Sequence, residues 1–415
     1  MALALLALGT VVPGVAAPAM AEDSVPSVES TAGEWTQFRG SLQNGVGAGG
    51  DLAASWPEDG PEVLWRRPLG SGYATVIGDG ERIYTSFADG DQEFVGAFSP
   101  ADGKEIWRYS LGARLSTQFG DGPRATPAVE GGAVYALGSD GVLKAVSADS
   151  GEELWSASLM GEVGGSPPQW GISSSPVVDG DLLLVETGGG EGKGITAFDA
   201  ASGEQRWTAL DLRRGYSTPV AVTLGGVRQY IVAPTSAPEV VSLLADGSVH
   251  WRTEWESGSI ASPVPVGEDG IFVSASNDVG GRLLRISTGE GGAPAVEQVW
   301  HTREMKNHFS SSVSLDGFIY GFDGGTFKCI DAADGSRRWA KRGLGKGSLI
   351  AAGDHLFVLT DRGKLVLVDA TPEGYKAQGE IQLFQDKTWT APVLVDGVLY
   401  LRDHTDLVAI DASAG

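Results

Sequence analysis

Apolar and polar positions alternate in short runs along most of the chain, and few stretches show the three, four and seven spacing of an amphipathic helix. One run recurs. Residues 97–107 read AFSPADGKEIW, 145–155 AVSADSGEELW, 197–207 AFDAASGEQRW, 241–251 VSLLADGSVHW and 329–339 CIDAADGSRRW. Each copy predicts a short strand, a turn with Gly at a fixed offset, and a second strand ending in Trp. The Trp falls at 65, 107, 155, 207, 251, 300 and 339. A period of roughly 40–50 residues with several strands per unit marks a propeller, not a helical solenoid. Before each cassette runs a second pattern: a small hydroxyl residue, Pro, apolar residues, then Asp-Gly or Gly-Gly. Examples are Ser175-Pro176-Val177-Val178-Asp179-Gly180 and Ala391-Pro392-Val393-Leu394-Val395-Asp396-Gly397. The two patterns together make four strands per unit.

Inner strands are expected near Tyr73, Ala125, Ser174, Ser217, Ala261, Ser311, Gly347 and Thr390, which makes an all-β, eight-bladed β-propeller. Seven blades plus an odd hairpin is the alternative. The cassettes of blades five and seven are degenerate. Blade five keeps Trp300 without the usual turn, and blade seven has Phe384 near the expected Trp. The last cassette, residues 409–415, lacks its closing strand, whereas Glu62-Val63-Leu64-Trp65 supplies one at the other end. The N-terminal strand is therefore expected to complete the last blade and close the ring.

The 415 residues then divide into a signal peptide (1–21), an N-terminal extension packing on the ring (22–56) and the propeller (57–415). Residues 2–17 are almost wholly apolar or small, and Ala19-Met20-Ala21 is a small-x-small cleavage site, which implies export to a periplasm or secretion. The stretch is interrupted by Gly9, Pro13, Gly14 and Pro18, so no transmembrane span is expected after cleavage. The formal net charge of −23 argues against nucleic acid as a partner. The lone Cys329 occupies a cassette position filled elsewhere by Ala and reads as a small buried hydrophobe.

Catalytic motifs are few. His250, His301, His308, His355 and His404 show no paired metal spacing, and no HExxH occurs. Asp89-Gly90-Asp91 reads as a turn, not a calcium loop. Gly188 to Gly194 lacks the first Gly and the hydroxyl of a phosphate loop and reads as a hairpin. Gly171-Ile172-Ser173-Ser174-Ser175 lacks the last Gly of a nucleophile elbow. Loops leading into the inner strands of a propeller converge at one end of its channel. The residues at that position are Arg124, Trp170, Tyr216, Asn307, His308, Lys346 and Trp389. Aromatic walls with a few polar groups form the usual shape of a ligand site. Here Arg124 and Lys346 favour an anion such as a carboxylate, and His308 is placed to carry a proton. The competing reading is structural, with aromatics plugging the channel and polar groups capping strand ends.

The cassette resembles the tryptophan-docking motif of quinoprotein propellers, A-x-D-x-x-T-G-x-x-x-W. Residues 197–207 come nearest, with Ser202 in place of Thr. The resemblance implies that each Trp docks between neighbouring blades, with Ala and Gly leaving it room. More narrowly, Trp35-Thr36-Gln37-Phe38-Arg39-Gly40, residues 170–176, 306–312 and 343–349 are similar to exported PQQ-binding-like repeat proteins, a group that also resembles the assembly propeller of the Bam complex. The chain departs from quinoprotein dehydrogenases in having one Cys, and from the Bam propeller in lacking a lipidation Cys. Three functions follow as expectations. The first is a non-catalytic binding or assembly scaffold acting on a protein partner. The second is a PQQ-dependent oxidoreductase of the alcohol or sugar dehydrogenase kind, with PQQ and calcium as cofactors. The third is a carbohydrate-binding propeller that takes a small anionic or sugar ligand. A monomer is expected.

Overall fold

The computed structural model describes residues 34–165, 169–213, 215–256 and 258–414. The leader expected at 1–21 lies outside them. Eight antiparallel four-stranded sheets stand in a ring, with no α-helix among the described residues. Blades 1 to 6 follow in chain order, from Ile77–Gly78 to Arg337–Arg342. Blade 7 runs from Gly347–Ala352 to Ala377–Gln382. Blade 8 takes Val393–Val395, Val398–Arg402 and Asp406–Asp411 from one end of the chain and Val63–Pro68 from the other, with Trp65 opposite Ala409. The ring is closed as the strand count required, and the seven-blade alternative falls.

The Trp docking follows from geometry at the turn. Trp155 of blade 2 donates its indole N–H to the Ala200 carbonyl of blade 3 at 3.0 Å. Gly203 in that turn has φ +74°, and a Cβ there would lie 2.5 Å from the Trp155 ring. Glycine is thus required twice, for the left-handed backbone and for the flat ring against it. Trp65, Trp107, Trp207 and Trp300 repeat the bond to Pro100, Ala148, Ala245 and Ala332. The degenerate cassettes break the pattern. Blade 5 offers no matching turn, and Trp251 turns back to Gln229 Oε1 of its own blade at 2.8 Å. In blade 7, Phe384 lies beneath the Arg66 guanidinium at 5.4 Å, and Trp56 packs on Gly379 instead. Cys329 is fully buried, which pushes its thiol up to about 12. The Gly-rich stretch closes a hairpin between Leu182–Gly189 and Lys193–Asp199.

Most inner strands begin later than expected, at Ala128, Val177, Val220, Val264, Val313 and Val393. The hydroxyl residues ahead of them are bonded around the ring. The N–H of Thr75 donates to Thr126 Oγ1, Thr126 to Ser175 Oγ, Ser175 to Thr218 Oγ1, Thr218 to Ser262 Oγ and Ser262 to Ser311 Oγ, all at 2.9–3.1 Å. Thr75 Oγ1 donates in turn to the Ala391 carbonyl of blade 8. A backbone N–H spent on the next blade is unavailable to its own sheet, and the proline that often follows has none. In blades 2 to 5 and 8 the sheet therefore starts only after the proline, whereas blades 1 and 6 lack it and still start late, at Ile77 and Val313. In blade 7 the inner strand begins at Gly347 as read.

Residues 34–53 lie across one end of the channel. Trp35 pairs with Gly78 of blade 1, and the Thr36 carbonyl accepts from Val129 of blade 2. Gln37 clamps Val178 of blade 3, and Gln43 clamps Pro219 and Ala221 at blade 4. Arg39 Nη2 donates to the Ser312 carbonyl beside blade 6 at 2.6 Å. Val46–Gly47 adds a parallel fifth strand to blade 7, and Ala53 bonds Ala412 after blade 8. Seven blades are thereby tied together at the axis by one segment.

Candidate functional site

The other end of the channel is a funnel of about 650 Å³, with Trp35, Phe38 and Arg39 of the crossing segment in its lining. Size and shape suit a small-molecule or short-segment site. Six of the seven residues singled out from the sequence line it: Arg124, Trp170, Tyr216, His308, Lys346 and Trp389. They sit on separate inter-blade loops, and ring geometry brings them together. Asn307 does not join them. It is buried, its amide donates to the Phe322 carbonyl at 3.1 Å and accepts from Ser312 Oγ at 3.0 Å, and it serves as a strut inside blade 6.

Two aromatic groups form the walls. On one side Trp170 lies 5.2 Å from Tyr216 and edge-on to Phe119 at 5.7 Å. On the other, Trp389 stacks on Tyr73 at 5.2 Å and packs on Phe309 at 5.1 Å. Tyr73, Phe119, Phe309, Arg39 and Lys387 also line the funnel and lie outside the set expected from the sequence, although Lys387 stands only two positions before Trp389.

The charges are of one sign. Arg124 is held by the carbonyls of Gly120 and Gly122 and by Thr117 Oγ1, over the face of Tyr73 at 5.5 Å. Lys346 Nζ sits 3.5 Å from His308 Nδ1 and over Phe309. Lys387 lies 4.5 Å over Trp389. At the floor Arg39 bonds three carbonyls, through Nε to Gln43 and through Nη2 to Asn44 and Ser312, which leaves Nη1 without a hydrogen-bond partner among the described residues. None of these four cations forms an ion pair with a carboxylate among the described residues, although Glu93 and Asp121 act on Arg124 at longer range, and no Asp or Glu lines the funnel, in a chain with 53 acids. Burial, with Lys346 adding to it, holds the His308 imidazole below its ordinary range, so it is neutral at pH 7 and accepts from Lys346 through Nδ1.

Behind the first wall Glu186 is buried against Gly215, and neither carboxyl oxygen has a partner among the described residues. Burial raises it to about 8, so it stays protonated at neutral pH. The equivalent tension is absent at Glu93 of blade 1, whose oxygens accept from the N–H groups of Leu115 and Ser139.

A calcium-bound quinone of the dehydrogenase kind needs hard oxygen ligands, carboxylates among them. The funnel lining has none, and no group of three His, Cys, Asp or Glu side chains among the described residues is placed to hold a metal. The residues present do not fit that cofactor with its metal.

Among solved structures the fold is similar to a quinohemoprotein alcohol dehydrogenase from Comamonas testosteroni, with a TM-score of 0.62 at 14% identity over 92% of this chain and 81% of that one. It is also similar to BamB from Moraxella catarrhalis, with a TM-score of 0.57 at 14% identity over 84% and 99%. At such identity both likenesses speak for the propeller alone. In sequence the chain is 23% identical to outer membrane protein assembly factor BamB of Yersinia pestis over 304 residues, which cover 67% of this chain and 71% of that protein. The Salmonella typhimurium protein of the same name is 25% identical over 293 residues. Residues 91–341, from blade 1 to the outer strand of blade 6, match the family described as outer membrane protein assembly factor BamB, and the chain belongs to that family.

Proposed function

We propose that this protein is a non-catalytic propeller scaffold that works outside the cytoplasm in assembly, engaging a protein partner at the channel mouth. The observation that carries this reading is the funnel itself. It gathers aromatic faces and unpaired cations, which suit recognition, and it lacks the carboxylates that general acid–base or metal chemistry would draw on. The family supports the same reading through the name of its relatives. The likeness to a quinohemoprotein alcohol dehydrogenase favours a second reading, a PQQ-dependent oxidoreductase, but the donor set speaks against it.

Two measurements separate them. Incubation with PQQ and calcium, followed by dye reduction with alcohols and aldoses, should give no turnover above the quinone alone. A photo-cross-linking amino acid at Phe119 on the mouth should capture a defined partner in the host's envelope, while the same group at Asp396, on an inner-strand hairpin of blade 8, should not. Quinone-dependent turnover, or capture equal at both positions, would reject the scaffold reading.

A further inference from the structure

Beside the funnel mouth, on blade 7, lies a second hollow, an open basin of about 660 Å³. Its chemistry is the reverse of the funnel's. The funnel has aromatic walls and no carboxylate in its lining. Six of the seven residues that line the basin carry polar side chains: Asp361, Arg362, Gln382, Gln385, Asp386 and Lys387. Trp389 is the seventh, and it and Lys387 border both hollows. So polar a lining offers little to an apolar body and favours a ligand dense in hydrogen-bonding groups.

Two carboxylates and two cations leave the basin with no net charge, so a free ion of either sign gains little there. The signs are also interleaved, with Asp361 next to Arg362 and Asp386 next to Lys387. That order does not suit a zwitterion, which needs its two signs sorted to separate sides. None of the four forms an ion pair among the described residues. Asp361 Oδ1 is moreover buried, and it has no hydrogen-bond partner among them. A buried acceptor without a donor costs stability, and a ligand hydroxyl would supply the donor.

The frame under these groups is braced. Asp361 and Arg362 stand on the hairpin between His355–Thr360 and Lys364–Asp369, and the other five lie at or beyond the end of Ala377–Gln382. The Gly363 carbonyl accepts from the N–H groups of Leu383 and Phe384, and the Thr388 N–H donates to the Asp361 carbonyl. Gly363 has φ +78°, and a Cβ there would lie 2.4 Å from the Phe384 carbonyl oxygen, so glycine lets the two loops press together. The Gln382 amide donates to the carbonyls of Arg362 and Phe384 at 2.7 and 2.6 Å. Its Oε1 is thereby fixed as an acceptor. A site held in this way loses little freedom on binding.

We propose that the basin is a saccharide site, which takes a neutral sugar ring by its hydroxyls. Each hydroxyl both donates and accepts. Those of one ring donate to Asp361, Asp386 and Gln382 Oε1 and accept from Arg362 and Lys387. This goes beyond the scaffold reading, because the site lies outside the funnel and takes a glycan in place of a protein.

Saturation-transfer NMR of the purified full chain, with titration, tests it. The probes are glucose, maltotriose, cellotriose and chitotriose, with calcium and acetate as charged competitors. At least one sugar should bind with a Kd of about 1 mM or tighter, and neither ion should displace it. Asp361→Ala and Arg362→Ala should each weaken that sugar about three- to tenfold. Neither side chain forms a hydrogen bond or an ion pair among the described residues, so both variants should keep the wild-type Tm. Gln385→Ala, at the exposed edge, should weaken binding by up to about threefold and serves if either of the others fails to fold. A trisaccharide that binds more tightly than glucose assigns the basin to a glycan chain, and equal affinity assigns it to a free sugar. No binding of any sugar at about 10 mM, displacement by calcium or acetate, or undiminished binding in the variants would overturn the inference. None of these outcomes bears on cross-linking at Phe119, which tests the funnel mouth and the scaffold reading alone.

Discussion

The two ends of the channel differ in how their polar groups are matched. At the closed end, Gln37, Arg39 and Gln43 are all buried, and each is bonded to backbone groups of the ring. There Trp35 Nε1 is the buried side-chain atom left unpaired. At the open end the mismatches gather: Trp170 Nε1, both oxygens of Glu186 and His404 Nε2 lack partners among the described residues, alongside Arg124, Lys346 and Lys387, which form no ion pair with a carboxylate among them. Unsatisfied buried groups cost stability and persist where something other than stability selects them. The contrast teaches that one end holds the ring together, while the other leaves polar groups unmatched, as the proposed binding role requires.

The largest effect should come from the closed end. Gln37→Ala with Gln43→Ala uncovers the buried N–H groups of Val178 and Ala221 and the Val178 and Pro219 carbonyls. Removing them should cost about 2–3 kcal/mol at each site, close to additive because the sites clamp different blades. Urea denaturation reads the loss, and a change below about 1 kcal/mol for the pair would mean that the segment is not a clamp.

Next comes Glu186. Its folded-state pKa of about 8 lies above the unfolded value of 4.5. Below the lower value both states are protonated. Between the two, the unfolded chain has lost its proton and the folded chain keeps it, so stability falls as pH rises, by about 1.4 kcal/mol per unit. Above the folded value the loss is complete. Glu186→Gln should flatten that slope in melts run from pH 5 to 8, and an unchanged slope would assign it to other groups.

Smaller again is the wall between the ends. Ser175→Ala removes the acceptor of the Thr126 N–H and should cost about 1–3 kcal/mol. Ser175→Thr, which keeps the hydroxyl, should recover most of it. Least of all, Lys387→Met at the rim should shift stability by no more than about 0.5 kcal/mol, since its ammonium forms no ion pair among the described residues. A loss of several kcal/mol there would make the lysine part of the scaffold and erase the distinction between the ends.

The architecture was legible because its signals are local and repeated. Gly203 and Trp155 sit in successive cassettes, and each encodes half of one contact that recurs around the ring. The closing strand was legible for the same reason, since Trp65 is a cassette end without a cassette. The hydroxyl–Pro pattern was visible, but its partner lies one blade away, so its role as a link between blades could not be read from spacing. Of the site, the loop positions were found by counting blades, and that placed Arg124, Trp170 and Lys346 correctly on the funnel. Counting fails where neighbours in sequence diverge in space. Asn307 turns inward to blade 6 while His308 beside it faces the cavity. Arg39 was missed because nothing in Trp35-Thr36-Gln37-Phe38-Arg39-Gly40 says that the segment crosses the axis.

Blade 8 joins Val63–Pro68 to Asp406–Asp411, two strands separated by more than three hundred residues of chain. The earlier strand emerges from the ribosome long before its partner exists. Until then its backbone edge has no mate and its Trp65 has only the turn of blade 1 to lean on. Contacts of such sequence separation form late and slowly. Ring closure should therefore be the final event of folding, and the interval before it the period in which a loose edge strand is most open to pairing with the wrong chain.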